Sequence, residues 1–144
     1  MKIVLDTNVL INSFLRKSKN YWIWKALEAE QLTLCVTTDI LLEYEEIIGR
    51  YYEDAQLASY VLDALQLMPN LIYVRKDIFF RLIPQDEDDE KFADCAIIVS
   101  ADYLVTNDHH YNPLKKLPFP IIKIVNEDEF RDVFDAYYNK RYLS

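Results

Sequence analysis

Short β-branched runs alternate with helix-patterned segments along almost the whole chain, and this alternation narrows the fold more than any other feature. Lys2–Leu5, Leu32–Val36, Leu71–Val74, Tyr103–Thr106 and Ile121–Val125 read as buried strands. Asn8–Leu15, Tyr21–Gln31, Asp39–Ile48, Asp54–Met68 and Glu90–Ser100 read as helices between them. Gly49 is placed to stop the third of these helices and Pro69 to end the fourth. A last helix opens at Asn126, with Glu129 three residues on in a capping-box spacing. Strands separated by helices imply right-handed crossovers and a parallel sheet, the signature of an α/β fold. The 144 residues suit one domain spanning 1–144, without repeat or linker.

Glycine is nearly absent, since Gly49 is the only one. That excludes the glycine-rich phosphate loop, the dinucleotide fingerprint and the G-x-S-x-G elbow. The charge is acidic, 16 − 24 = −8, and on its own it argues against a polyanionic partner. Cys35 and Cys95 lie in apolar runs without zinc-type spacing, and read as buried thiols. No signal peptide and no membrane-length apolar run is apparent, so a cytoplasmic protein with no membrane partner is expected.

The acids are placed where chemistry happens in such folds. Asp6 follows the first strand, and Asp108 lies just beyond Tyr103–Thr106. Ligands of parallel sheets bind outside the carboxyl ends of the strands. Asp89 sits near the start of the helix that feeds the Asp108 strand, and Glu43 lies within the apolar stretch Ile40-Leu41-Leu42-Glu43-Tyr44. Taken singly, each has a simpler role as cap, turn residue or solvated acid. Taken together, four converging acids would repel one another unless a cation joined them. An all-oxygen set favours Mg²⁺ or Mn²⁺, which also activates water and polarises phosphate. Such an ion reverses the local sign and reconciles an acidic chain with a phosphodiester.

The residues around these acids form four ordered motifs. They are Leu5-Asp6-Thr7-Asn8-Val9-Leu10, then Thr37-Thr38-Asp39-Ile40-Leu41-Leu42-Glu43-Tyr44. Asp89-Glu90-Lys91-Phe92-Ala93-Asp94-Cys95-Ala96 follows, and then Ala101-Asp102-Tyr103-Leu104-Val105-Thr106-Asn107-Asp108. In order and spacing, from Met1 to about Phe130, the chain resembles the PIN-domain family, and within it the toxins of toxin–antitoxin pairs. The resemblance implies a Rossmann-like α/β/α sandwich with a central parallel sheet. It also implies a metal-dependent ribonuclease using Mg²⁺ or Mn²⁺, an RNA substrate, a cognate antitoxin and a homo-oligomer, most simply a dimer. Carried over, the metal-holding and catalytic acids would be Asp6, Glu43, Asp89 and Asp108. Asn8 would orient Asp6 or a water, and Thr106 would support the fourth acid. Asp88 competes with Asp89 for the third place. Asp94 is an extra acid about 140° round the helix from Asp89, either flanking the site or facing solvent.

Other residues carry weaker signals. His109 and His110 follow the fourth acid and suit a surface helix start better than a metal. Lys115-Lys116, Arg16-Lys17-Lys19 and Arg75-Lys76 are basic patches able to meet RNA phosphates. Trp22 falls opposite the stripe of Ile23, Trp24 and Leu27, and is expected to be exposed until a partner covers it. Two other functions fit the same acids: a structure-specific DNA nuclease, and a PIN-like binding protein without catalysis.

Overall fold

The computed structural model describes residues 1–75, 87–118 and 121–143, the side chains of residues 87–90 and 141–143 excepted. Five strands are given: β1 (Lys2–Leu5), β2 (Thr33–Val36), β3 (Leu71–Tyr73), β4 (Tyr103–Val105) and β5 (Ile124–Val125). They form one sheet of order β3-β2-β1-β4-β5, and every pairing is parallel. The chain steps outward from β1 through β2 to β3, then returns to the other side of β1 as β4. The reversal therefore falls between β1 and β4, where Ile3, Val4 and Leu5 lie in register with Tyr103, Leu104 and Val105.

The helices are α1 (Thr7–Ile11), α2 (Tyr21–Glu28), α3 (Thr38–Tyr51), α4 (Ala55–Leu67), α5 (Glu87–Ile98) and α6 (Glu127–Leu143). A 3-10 helix runs over His109–Lys116. Helices flank the sheet, as the alternation requires. β1 and β2 are each buried at their last three positions, which is why they read as unbroken apolar runs rather than alternating ones. Ile40, Leu41, Tyr44 and Ile48 of α3 join that core with Phe92 of α5.

Three local expectations change. Gly49 does not end its helix. α3 runs on to Tyr51, and a Cβ at Gly49 would meet the Ala58 Cβ of α4 at 3.7 Å, ordinary van der Waals contact, so neither a helix stop nor close packing requires glycine there. The helix after Asp6 stops at Ile11 rather than Leu15. There the buried Ser13 hydroxyl donates to the Leu10 carbonyl at 2.6 Å, an alternative to continuing the helix. Trp22 is half-buried within its own chain, not exposed. Its ring packs at 5.2 Å from Phe130 and 5.0 Å from Phe134 of α6, with the Arg131 guanidinium 4.8 Å from its centroid. The wheel of one helix could not anticipate that the chain's own last helix covers the opposite face.

The capping box at α6 forms as the spacing predicts. Glu129 N–H donates to Asn126 Oδ1 at 2.8 Å, and Asn126 N–H donates to Glu129 Oε1 at 3.1 Å. Cys35 and Cys95 are buried free thiols, and burial pushes the Cys35 thiol up to about 11. No described helix is long and apolar enough to cross a membrane.

Candidate active site

Asp6 sits at the reversal point of the sheet and is only 7% exposed. Its backbone N–H donates to the Val105 carbonyl at 3.0 Å, which continues the β1–β4 ladder one residue past the strand. Its side chain caps α1: Oδ1 accepts from Thr7 N–H at 2.8 Å, while Oδ2 accepts from the Thr106 hydroxyl at 2.7 Å. Both carboxylate oxygens are thus fixed by residues that are themselves buried. The simple cap role and the site role coincide in this residue.

Thr106 ties two acids together. Its hydroxyl oxygen also accepts the Asp108 backbone N–H at 3.0 Å. Asp108 in turn caps the 3-10 helix, with Oδ1 accepting from His110 N–H at 2.9 Å and lying 3.2 Å from His110 Nδ1. Glu43 reaches the same place from α3. Its Oε2 accepts from the Thr7 hydroxyl, and its Oε1 accepts from the Lys91 ammonium of α5 at 2.9 Å. The Glu43 side chain is half-buried rather than free in solvent. The Tyr44 hydroxyl, beside it, donates to the carbonyl of Leu5 and pins the end of β1.

The charges agree with this convergence. Burial pushes the Asp6 carboxyl above the usual carboxylate range; the bonds from Thr106 and Thr7 oppose this, and the charges of Glu43 and Asp108 add to it. Tyr44, fully buried, is pushed well above its ordinary value, chiefly by desolvation.

The structure therefore brings Asp6, Glu43 and Asp108 within electrostatic reach, with Thr106 between two of them. Asn8 is exposed, and the hydrogen bonds that orient Asp6 come from Thr7 and Thr106. Asp94 is 1% exposed, so the solvent-facing alternative for it is wrong. It lies three residues beyond Lys91 on α5, in the stretch 92–96 where every residue is buried. Asp89 and Asp88 fall in α5, but their side chains lie outside the described residues, as do Asp86 and Lys76. Among the described residues no three acids are gathered closely enough to hold a metal ion between them. His109 and His110 open the 3-10 helix at the surface.

Two contributors escape a reading of the sequence. Thr7 holds both Asp6 and Glu43, and its only signal is that it follows the capping Asp6 directly. Lys91 balances Glu43, and its signal is its position one turn before Asp94 and next to the buried Phe92.

Thr106→Val removes the hydroxyl that donates to Asp6 and accepts from Asp108, and leaves the Asp108 N–H without that acceptor. We expect a loss of about 1–3 kcal/mol in stability. Two loosened acids should lower any phosphodiester cleavage by about 10- to 100-fold. Thr106→Ser should restore most of both, and denaturant melts beside initial rates would check it.

A family model described as PIN domain matches residues 2–110. The fold is similar to the solved structure of VapBC2 from Rickettsia felis bound to a DNA fragment from their promoter. The likeness has a TM-score of 0.56 and 17% identity, and covers 88% of this chain and 98% of that one. No curated protein matches the chain.

Proposed function

This chain belongs to the PIN domain family, and from that premise we propose that it is a metal-dependent endoribonuclease cutting single-stranded RNA, the toxin of a toxin–antitoxin pair. One observation carries the reading: Asp6, buried at the reversal of the sheet, is clamped by Thr7 and Thr106 and feels the charges of Glu43 and Asp108. A carboxylate so burdened by burial and like charge is a poor purely structural choice. It suits a hard cation in both charge and donor type.

Asp6, Glu43 and Asp108, which are not gathered tightly on their own, would draw in around Mg²⁺ or Mn²⁺, joined from α5 by Asp89 or by the buried Asp94. When bound, such an ion supplies Lewis-acid polarisation of the phosphate and a water of lowered pKa. The chain's own residues supply the rest. Thr106 and Thr7 fix the rotamer of Asp6 at the end of β1. Thr7 and Lys91 hold Glu43 from two sides. Lys91 also limits the repulsion that three acids would otherwise exert.

The likeness to VapBC2 supports the toxin reading and a protein partner. Leu42, Tyr60 and Leu67 of α3 and α4 are exposed and give an antitoxin or a second copy apolar surface to cover. The protein is placed in the cytoplasm on this reading.

The test is a panel of single-stranded RNA, single-stranded DNA and flap substrates, with Mn²⁺ and with EDTA. We expect cleavage of RNA that EDTA abolishes. Mn²⁺ should also raise the melting temperature of the wild-type chain by several degrees, and that of Asp6→Asn by less. Cleavage that persists in EDTA overturns the metal reading, and preference for flaps overturns the ribonuclease one.

A further inference from the structure

Two clefts border the acids, and they differ in charge. The one beside Glu43, about 430 Å³, is lined by Asp39, Glu43, Glu46, Arg50 and Lys91 among others. Both of its cations are engaged by acids, Lys91 by Glu43 at 2.9 Å and Arg50 by Glu46 at 2.5 Å. It has little left for an anion. The other cleft, about 200 Å³, opens beyond Asp108 and is lined by Asn107, Asp108, His109, Asn112, Lys115 and Asn126 among others.

The hydrogen bonds already made by its lining residues define what this second cleft offers. Asn107 Oδ1 accepts the Glu127 N–H at 3.1 Å, and Asn126 Oδ1 accepts the Glu129 N–H at 2.8 Å. Both amide oxygens serve backbone donors, so each asparagine presents its NH₂ as the group available to a ligand. Asn112 Nδ2 lies 3.5 Å from His109 Nδ1, an arrangement that favours the ring proton on Nε2 as a further donor. Lys115 adds a full positive charge, and among the described residues no carboxylate pairs with it. Among the described residues Asp108 is the single acid lining the cleft, and its Oδ1 is taken by His110.

We propose that this cleft is a subsite for a strand phosphate adjacent to the one being cut. Lys115 is its cation, and the amides of Asn107 and Asn126 are its donors. The inference rests on the ribonuclease reading above and extends it. A strand crossing the carboxyl ends of β1 and β4, with its reacting phosphate at Asp6 and Asp108, carries its next phosphate toward the end of β5. Thr106, Asn107 and Asp108 form one continuous segment joining the acids to this cleft. The subsite grips backbone, not bases, so it acts on every sequence alike.

The test uses the full chain carrying Asp6→Asn, which binds RNA without cutting it. Binding of a fluorescent single-stranded RNA is followed by anisotropy over a range of salt concentrations. Lys115→Ala should weaken binding by about fivefold for RNAs of differing sequence, and lower the salt slope by about 0.7. Lys115→Arg should restore the affinity. Lys116→Ala removes the same charge from the next residue, which does not line the cleft, and should change binding by less than about twofold. RNA binding that ignores Lys115, or that responds equally to Lys115 and Lys116, overturns the subsite alone. A chain that neither binds nor cleaves RNA overturns the ribonuclease reading and the subsite with it.

Discussion

Asp6→Asn is expected to abolish RNA cleavage, by about a thousandfold or more, while the protein keeps its fold. The size follows from position. Asp6 is buried, held at both oxygens, and feels the charges of both Glu43 and Asp108. Losing one ligand charge at the reacting phosphate at roughly 4 kcal/mol of transition-state stabilisation gives that factor. Asn keeps the shape, and its carbonyl oxygen can still cap α1 through Thr7 N–H. The amide end loses the bond from Thr106, a modest cost.

The pH dependence separates this from simple damage. Burial raises the folded-state pKa of Asp6 above the ordinary aspartate value of 3.8. The folded protein then binds more protons than the unfolded one just above pH 3.8. Stability contributed by protonated Asp6 is complete below that pH and is lost as pH rises through the raised folded value. At neutral pH the charged form therefore costs stability, and Asp6→Asn removes that cost. Urea melts between pH 4 and 7 should find the variant gaining on the wild type as pH rises. A variant that loses activity and also loses stability steadily across that range would place Asp6 in the framework only.

Phe92→Ala is expected to be the most destabilising substitution among those considered, at about 3–5 kcal/mol. Phe92 is 1% exposed, and its ring lies 6.4 Å from that of Tyr44. Tyr44 in turn anchors Leu5, the residue before Asp6. The cavity thus opens between α3 and α5, behind both Glu43 and Lys91. Against a total stability of roughly 5–15 kcal/mol this is a large fraction, and the melting point should fall by about 10 °C or more. Phe92→Leu should recover most of it. A fall of less than about 3 °C would mean that the core there collapses around the gap.

The sheet was legible because its strands are short, apolar and separated by helices. Each stretch predicted as a strand contains one, although Ile121–Val125 shrinks to β5, two residues. Asp6, Glu43 and Asp108 were legible from their places after strands or within an apolar helix. The partners of those acids were not. Thr7 and Lys91 are common residue types whose roles depend on side-chain direction across 36 and 48 residues of chain. Trp22 failed for a related reason: its cover, α6, begins more than a hundred positions later. Asp94 needed three dimensions too, since a helical wheel gives an angle and not the neighbour that angle meets.

The pairing of β1 with β4 sets a timetable for synthesis. Asp6 is made well before the hydroxyl that orients it, which belongs to Thr106, 100 residues later. A domain folds as a unit once its chain is made, and contacts this distant close late. A growing chain with β1, β2 and β3 already paired still lacks Thr106 and Asp108. On the ribonuclease reading, the nascent chain would thus stay inert until Thr106 and Asp108 have been added.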